Sequence, residues 1–130
     1  MYLVDTDVCI DFMRGKEQVV RNLTRLPNIM ISSITLAELF FGIYKSNNPT
    51  KHKKRLGNFL ENVTMLDVTF PIAYNFGKIK SQLSKKGKLI GDFDIMNGSF
   101  ALTYEMPIIT NNVKHYNKIE GITIKSISTS

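Results

Sequence analysis

Tyr2-Leu3-Val4-Asp5-Thr6-Asp7-Val8-Cys9-Ile10 opens the chain and decides how the rest is read. Three apolar residues that stop at an acid suit a short buried strand. Thr6 or Asp7 can then cap a helix carrying Val8, Ile10, Phe12 and Met13, with Gly15 as its stop. The same grammar returns further on. Residues 19–26 read as a second short helix ended by Pro27, and Ile29-Met30-Ile31 reads as a second buried strand. Ser32 and Ser33 can cap a helix over 34–44, on which Leu36, Leu39, Phe40 and Ile43 form one core-facing stripe.

Asn47-Asn48-Pro49 breaks that helix, and a basic helix over 50–62 turns Leu56, Phe59 and Leu60 inward. Residues 63–68 read as a third strand. Pro71 sits in the first turn of a helix whose inward residues are Ile72, Phe76, Ile79 and Leu83. Gly87 marks a turn, and a helix beginning at Asp92 or Phe93 runs to about residue 104. Residues 107–110 make a fourth strand and 121–127 offer a fifth. Strands alternating with helices predict an α/β fold, one domain over residues 1–130, with a mainly parallel sheet of four to five strands. Ligands of such sheets bind beyond the carboxyl ends of the strands.

Of the 130 residues, 43% are hydrophobic and 22% charged, an ordinary balance for a globular domain. Asp5, Asp7 and Asp11 interrupt what would be the apolar core of a signal peptide, and no apolar run is long enough to span a bilayer. The single cysteine, Cys9, cannot form an internal disulfide and reads as a small core hydrophobe, so a cytoplasmic setting is the default expectation. The net charge of +6 points to a polyanionic partner. The cations gather in Lys51-His52-Lys53-Lys54-Arg55 and in Lys85-Lys86-Gly87-Lys88.

Each acid has a bland reading when taken singly. Asp7 and Asp92 suit the first turn of a helix, and Glu38 lies off the apolar stripe, where a lone Glu is usually solvated. Asp5 is tied to a strand end and has little role as a cap. In a parallel sheet Asp5, Glu38 and the Asp92/Asp94 pair follow strand ends and can converge on one edge. Crowded carboxylates raise one another's pKa values. A hard cation, Mg²⁺ or Mn²⁺, removes that repulsion and can activate water against a phosphodiester. His52 and His115 have no partners at ligand spacing and read as surface residues. No Gly-rich phosphate loop and no Gly-x-Ser-x-Gly elbow occurs.

Four stretches, taken in order, resemble the motifs of PIN-domain nucleases. They are Tyr2-Leu3-Val4-Asp5-Thr6-Asp7, Ser32-Ser33-Ile34-Thr35-Leu36-Ala37-Glu38-Leu39, Ile90-Gly91-Asp92-Phe93-Asp94-Ile95-Met96 and Thr110-Asn111-Asn112-Val113-Lys114-His115-Tyr116. Their length and order are similar to the VapC toxins of toxin–antitoxin pairs. The resemblance implies Asp5 and Asp94 as direct metal ligands, with Glu38 binding a second ion or orienting water. It also implies Thr6 and Thr110 as hydroxyl donors that position acids or phosphate, and places Asn112 where some members carry a fourth Asp. Asp7 stands where Asn is usual, Asp92 is an added acid, and Asn97-Gly98-Ser99 replaces an apolar-Ala-Ala run.

The family implies endonucleolytic cleavage of structured RNA such as tRNA or rRNA, a homodimer, and inhibition by a VapB-like antitoxin in a heterotetramer or larger assembly. Two rivals remain at this stage. One is a phosphatase of the haloacid-dehalogenase type, with Asp5 as nucleophile and Asp7 as acid/base. The other is an inactive PIN domain that only binds RNA or protein.

Overall fold

The computed structural model describes residues 1–127. Five short strands form one sheet: β1 (Tyr2–Val4), β2 (Ile29–Ser32), β3 (Thr64–Leu66), β4 (Ile108–Ile109) and β5 (Ile124–Lys125). Their order is β3-β2-β1-β4-β5, and every pairing is parallel. Between them run α1 (Thr6–Met13), α2 (Glu17–Thr24), α3 (Ser33–Lys45), α4 (Pro49–Leu60), α5 (Phe70–Lys85), α6 (Asp92–Thr103) and α7 (Val113–Tyr116). The expected fold is the one observed, with a wholly parallel sheet.

Successive strand residues point to opposite faces, so the three central strands, β1, β2 and β4, each feed two cores. Val4, Ile31 and Ile109 pack with Val8, Cys9, Leu23, Leu39, Leu56 and Phe59 beneath the first four helices. Leu3 and Ile108 pack on the other side with Ile72, Ile79, Leu83, Ile95, Phe100 and Tyr116. Both faces are covered, as parallel sheets require.

Some boundaries and one face differ from expectation. β3 and β5 are shorter than 63–68 and 121–127, because only their central residues pair with neighbours. Phe40 is 38% exposed and not part of the core stripe, which Leu39 and Ile43 carry with help from Leu36. Helix α7 is a single turn, too short for an apolar stripe to announce it.

The register sets up the site. Leu3 pairs with Met30 and Val4 with Ile109, so Asp5, Ser32 and Thr110 emerge side by side at the carboxyl edge.

Candidate active site

Asp5 leaves β1 and is itself the N-cap of α1, its Oδ1 accepting from the Thr6 amide at 3.0 Å. Neither Thr6 nor Asp7 caps the helix, because strand passes into helix with no intervening loop and the residue at the junction takes the orphan amide. The carboxylate is nearly buried, at 5% exposure. Oδ1 also accepts from Asn97 Nδ2 at 3.0 Å, and Oδ2 accepts from Thr110 Oγ1 at 2.8 Å. Desolvation pushes the Asp5 pKa up, the three hydrogen bonds pull against that, and the charge of Asp94 adds a further rise.

Glu38 comes from the second turn of α3, whose start is fixed by Ser32 Oγ accepting from the Thr35 amide at 3.0 Å. Thr35 and Glu38 lie three residues apart, so both face α1. There Thr6 Oγ1 donates to Glu38 Oε1 at 2.7 Å and stands 3.1 Å from Thr35 Oγ1. Burial raises the Glu38 pKa, the Thr6 bond lowers it, and Asp5 and Asp94 raise it again. Glu38 is therefore held inside the acid cluster and is not a solvated surface charge. Burial outranks mutual repulsion as the cause of both shifts.

Asp94 stands in the first turn of α6, and Tyr116 bridges it to Asp5. The buried phenol donates to Asp94 Oδ1 at 3.4 Å and also interacts with Asp5 and Asn97. Burial and the two carboxylates push that phenol upward, so it stays a donor. Asn112 Nδ2 lies 3.4 Å from Asp94 Oδ2, while its backbone amide donates to Thr110 Oγ1 at 2.9 Å.

His115 belongs here, against its reading as a surface residue. Its Nδ1 is 2.7 Å from Asp94 Oδ2 and 2.7 Å from Asn112 Nδ2. Protonated at Nδ1 it donates to Asp94; bare, it accepts from the Asn112 amide. The one-turn helix after β4 carries it back to the carboxyl edge, three residues after Asn112.

Sequence reasoning also missed Asn97. It lies three residues after Asp94 on the same face of α6 and is buried, with Oδ1 accepting from Ser32 Oγ and Nδ2 donating to Asp5 and Thr35. The available signal was a polar side chain within a helix buried all round from 97 to 101, since a buried amide must find partners. Its neighbour Gly98 is explained by packing, because a Cβ there would lie 2.6 Å from Ile119 Cδ1.

Two candidates stay outside the cluster. Asp92 is exposed and pairs with Lys80 of α5 at 2.9 Å. Asp7 accepts from the Asn111 amide at 3.1 Å through Oδ2, while its Oδ1 is buried without a partner. Desolvation first, then the charge of Asp5, pushes its pKa up to about 6.

Apart from the His115 imidazole and the Asn97 and Asn112 amides, the groups that meet are carboxylate and hydroxyl oxygens, the hard set that Mg²⁺ and Mn²⁺ prefer. Among the described residues, no three His, Cys, Asp or Glu side chains are drawn together tightly enough to enclose an ion by themselves. One or two carboxylates with retained waters is the usual manner of Mg²⁺ binding, and the donor set fits that manner.

A model of the PIN domain family matches residues 2–120. Ribonuclease VapC2 of Haemophilus influenzae is 33% identical, covering 91% of this chain and 91% of that protein. This chain belongs to the PIN-domain family of VapC ribonucleases. The tRNA(fMet)-specific endonuclease VapC of Salmonella typhimurium is similar too, at 31% identity over 95% of this chain and 96% of that protein. Among solved structures, DNA-bound VapBC from Salmonella typhimurium superposes with a TM-score of 0.90 at 31% identity, covering 96% of each chain. VapBC2 from Rickettsia felis, bound to a DNA fragment from its promoter, gives 0.90 at 27%, covering 96% of this chain and 97% of that one. VapC membership sets aside the haloacid-dehalogenase alternative. Among the described residues no helix is long and apolar enough to cross a membrane.

Proposed function

We propose that this PIN domain, spanning the whole chain, is the toxin of a toxin–antitoxin pair and a divalent-metal-dependent endoribonuclease acting on structured RNA, tRNA or rRNA. The observation that carries this reading is the convergence of Asp5, Glu38 and Asp94, from three separate segments, on the carboxyl edge of the sheet. Asp5 and Asp94 are the direct ligands of Mg²⁺ or Mn²⁺, and Glu38 takes a second ion or orients a water. Bound there, the cation would offset the acids' charge, acidify a water and stabilise charge on the cleaved phosphodiester. Thr110 and Thr6 hold the carboxylates of Asp5 and Glu38 in place, and His115 and Asn112 steady Asp94. Asp7 and Asp92 act only through the surrounding charge.

A site lined with acids needs cations nearby to hold RNA. Lys85, Lys86 and Lys88 lie where α5 ends and the chain turns through Gly87 into α6, next to the first turn that carries Asp94. A VapB-type antitoxin neutralises the enzyme. A groove of about 630 Å³ between α1, α2 and α4, lined by Phe12, Met13, Leu23 and Phe59 with Arg14 and Arg55 alongside, suits an apolar antitoxin segment flanked by acids. Exposed Phe41, Tyr44, Phe70 and Tyr74 provide apolar surface for a homodimer. The protein works in the cytoplasm, where its RNA is and where buried Cys9 stays reduced.

The test is cleavage of tRNA and an rRNA fragment with Mg²⁺, with Mn²⁺ and with chelator. Chelator should abolish cleavage. Asp5→Asn and Asp94→Asn should each lower kcat about 100-fold or more, roughly 3 kcal/mol of transition-state stabilisation. Undiminished cleavage by both variants would remove the site from consideration.

A further inference from the structure

We propose that Asn97 is a positioning residue that locks the carboxylates of Asp5 and Glu38 into one frame before any cation or RNA arrives. This deepens the nuclease reading above and rests on it.

A buried side-chain amide has two N–H donors and a carbonyl oxygen to satisfy. Asn97, 1% exposed, uses all three. Its Oδ1 accepts from Ser32 Oγ, and its Nδ2 donates to Asp5 Oδ1 at 3.0 Å and to Thr35 Oγ1 at 3.1 Å. The orientation is forced, because an ionised carboxylate only accepts and so Nδ2 must face Asp5. The same direction runs on through the hydroxyls, each of which has one hydrogen. Thr6 gives its hydrogen to Glu38 Oε1 at 2.7 Å, so across the 3.1 Å gap Thr35 must donate to Thr6. One directed chain therefore runs from Ser32 through Asn97, Thr35 and Thr6 to Glu38, with a branch to Asp5.

The torsions that turn these carboxylates, χ2 of Asp5 and χ3 of Glu38, lie in broad, shallow wells, so hydrogen bonds are what hold the groups still. An apolar residue at position 97 could fill the same space and hold α6 against β2. It would leave Asp5 Oδ1 with the Thr6 amide alone and Thr35 without its donor. Fixing these two acids is what the amide adds.

The experiment measures Mn²⁺ affinity by calorimetry and cleavage kinetics, on protein shown by circular dichroism to be folded. Asn97→Ala should weaken Mn²⁺ binding about tenfold or more and lower kcat in proportion, leaving KM for RNA within about twofold. Asn75→Ala strips a 2.8 Å bond to Thr103 from the far end of α6 and should lower Tm without moving Mn²⁺ affinity. Thr35→Val, nearly isosteric, cuts the chain at its next link and should also weaken Mn²⁺ binding; it decides the matter if Asn97→Ala does not fold. Normal Mn²⁺ affinity in both Asn97→Ala and Thr35→Val, with binding lost in Asp5→Asn, would reduce Asn97 to a core anchor and overturn the proposal. If wild-type protein binds no Mn²⁺ that Asp5→Asn abolishes, the nuclease reading fails first and this proposal falls with it.

Discussion

Asp7 pays for its place beside Asp5. One of its oxygens is buried without a partner, and its pKa rises to about 6 from an ordinary 3.8. A carboxyl that binds its proton more tightly when folded stabilises the fold below the unfolded value and loses that contribution as pH rises through the folded one. The metal-free protein should therefore lose stability between about pH 4 and 6 on this account. Asp7→Asn should raise Tm at pH 8 by the equivalent of about 1–2 kcal/mol, allowing for solvent screening of a partly exposed group. At pH 4 and below, the variant and wild type should melt together. Thermal melts in chelator across that range check it, and equal melting at pH 8 would refute it. Single residues are also where the sequence was hardest to read. Asp5 stood out because it follows an apolar strand and Asp94 because it opens a helix. Glu38, in the second turn of α3, stood out only through its place after β2 and the motif around it. Asn97 and His115 belong to no period, and what they do depends on partners on other elements, Asp5 92 positions before Asn97 and Asp94 21 positions before His115.

Elements were far more legible, since apolar triplets ending in Asp5 or Ser32 announce both a strand and the helix after it. The residues that escaped are those whose reason is tertiary. Phe40 has the spacing of a core residue yet lies outside the packed stripe, and α7 is too short to show a period. Gly98 stands in the middle of α6, where glycine costs roughly 1 kcal/mol against alanine. It is the point at which Ile119 approaches the helix. Because Cδ1 is the free end of Ile119 and can swing aside, Gly98→Ala should fall within about 0.5 kcal/mol of wild type, helix propensity offsetting the crowding. Gly98→Val has no such escape and should cost about 1–3 kcal/mol. Urea denaturation of the two variants measures both, and equal stabilities would show that Ile119 does not limit the space.

Across the whole molecule, the +6 charge becomes useful through its placement. The Lys85, Lys86 and Lys88 turn adjoins the start of α6, so replacing all three with Ala should make RNA binding less salt-dependent. For single-stranded contacts, three lost phosphate partners lower the logarithmic salt slope by about 2. Replacing Lys51, Lys53 and Lys54 on α4 should leave that slope nearly unchanged, as filter binding across a salt series can show. The strand order has a larger consequence. The sheet grows outward from β1 in both directions, so Asp5 depends on Thr110, 105 positions later, and Asp94 on His115 and Tyr116. A nascent chain still threaded through the ribosome's exit tunnel lacks those supports. Only once β4 and α7 have folded back against β1 and α6 is the cluster of acids complete.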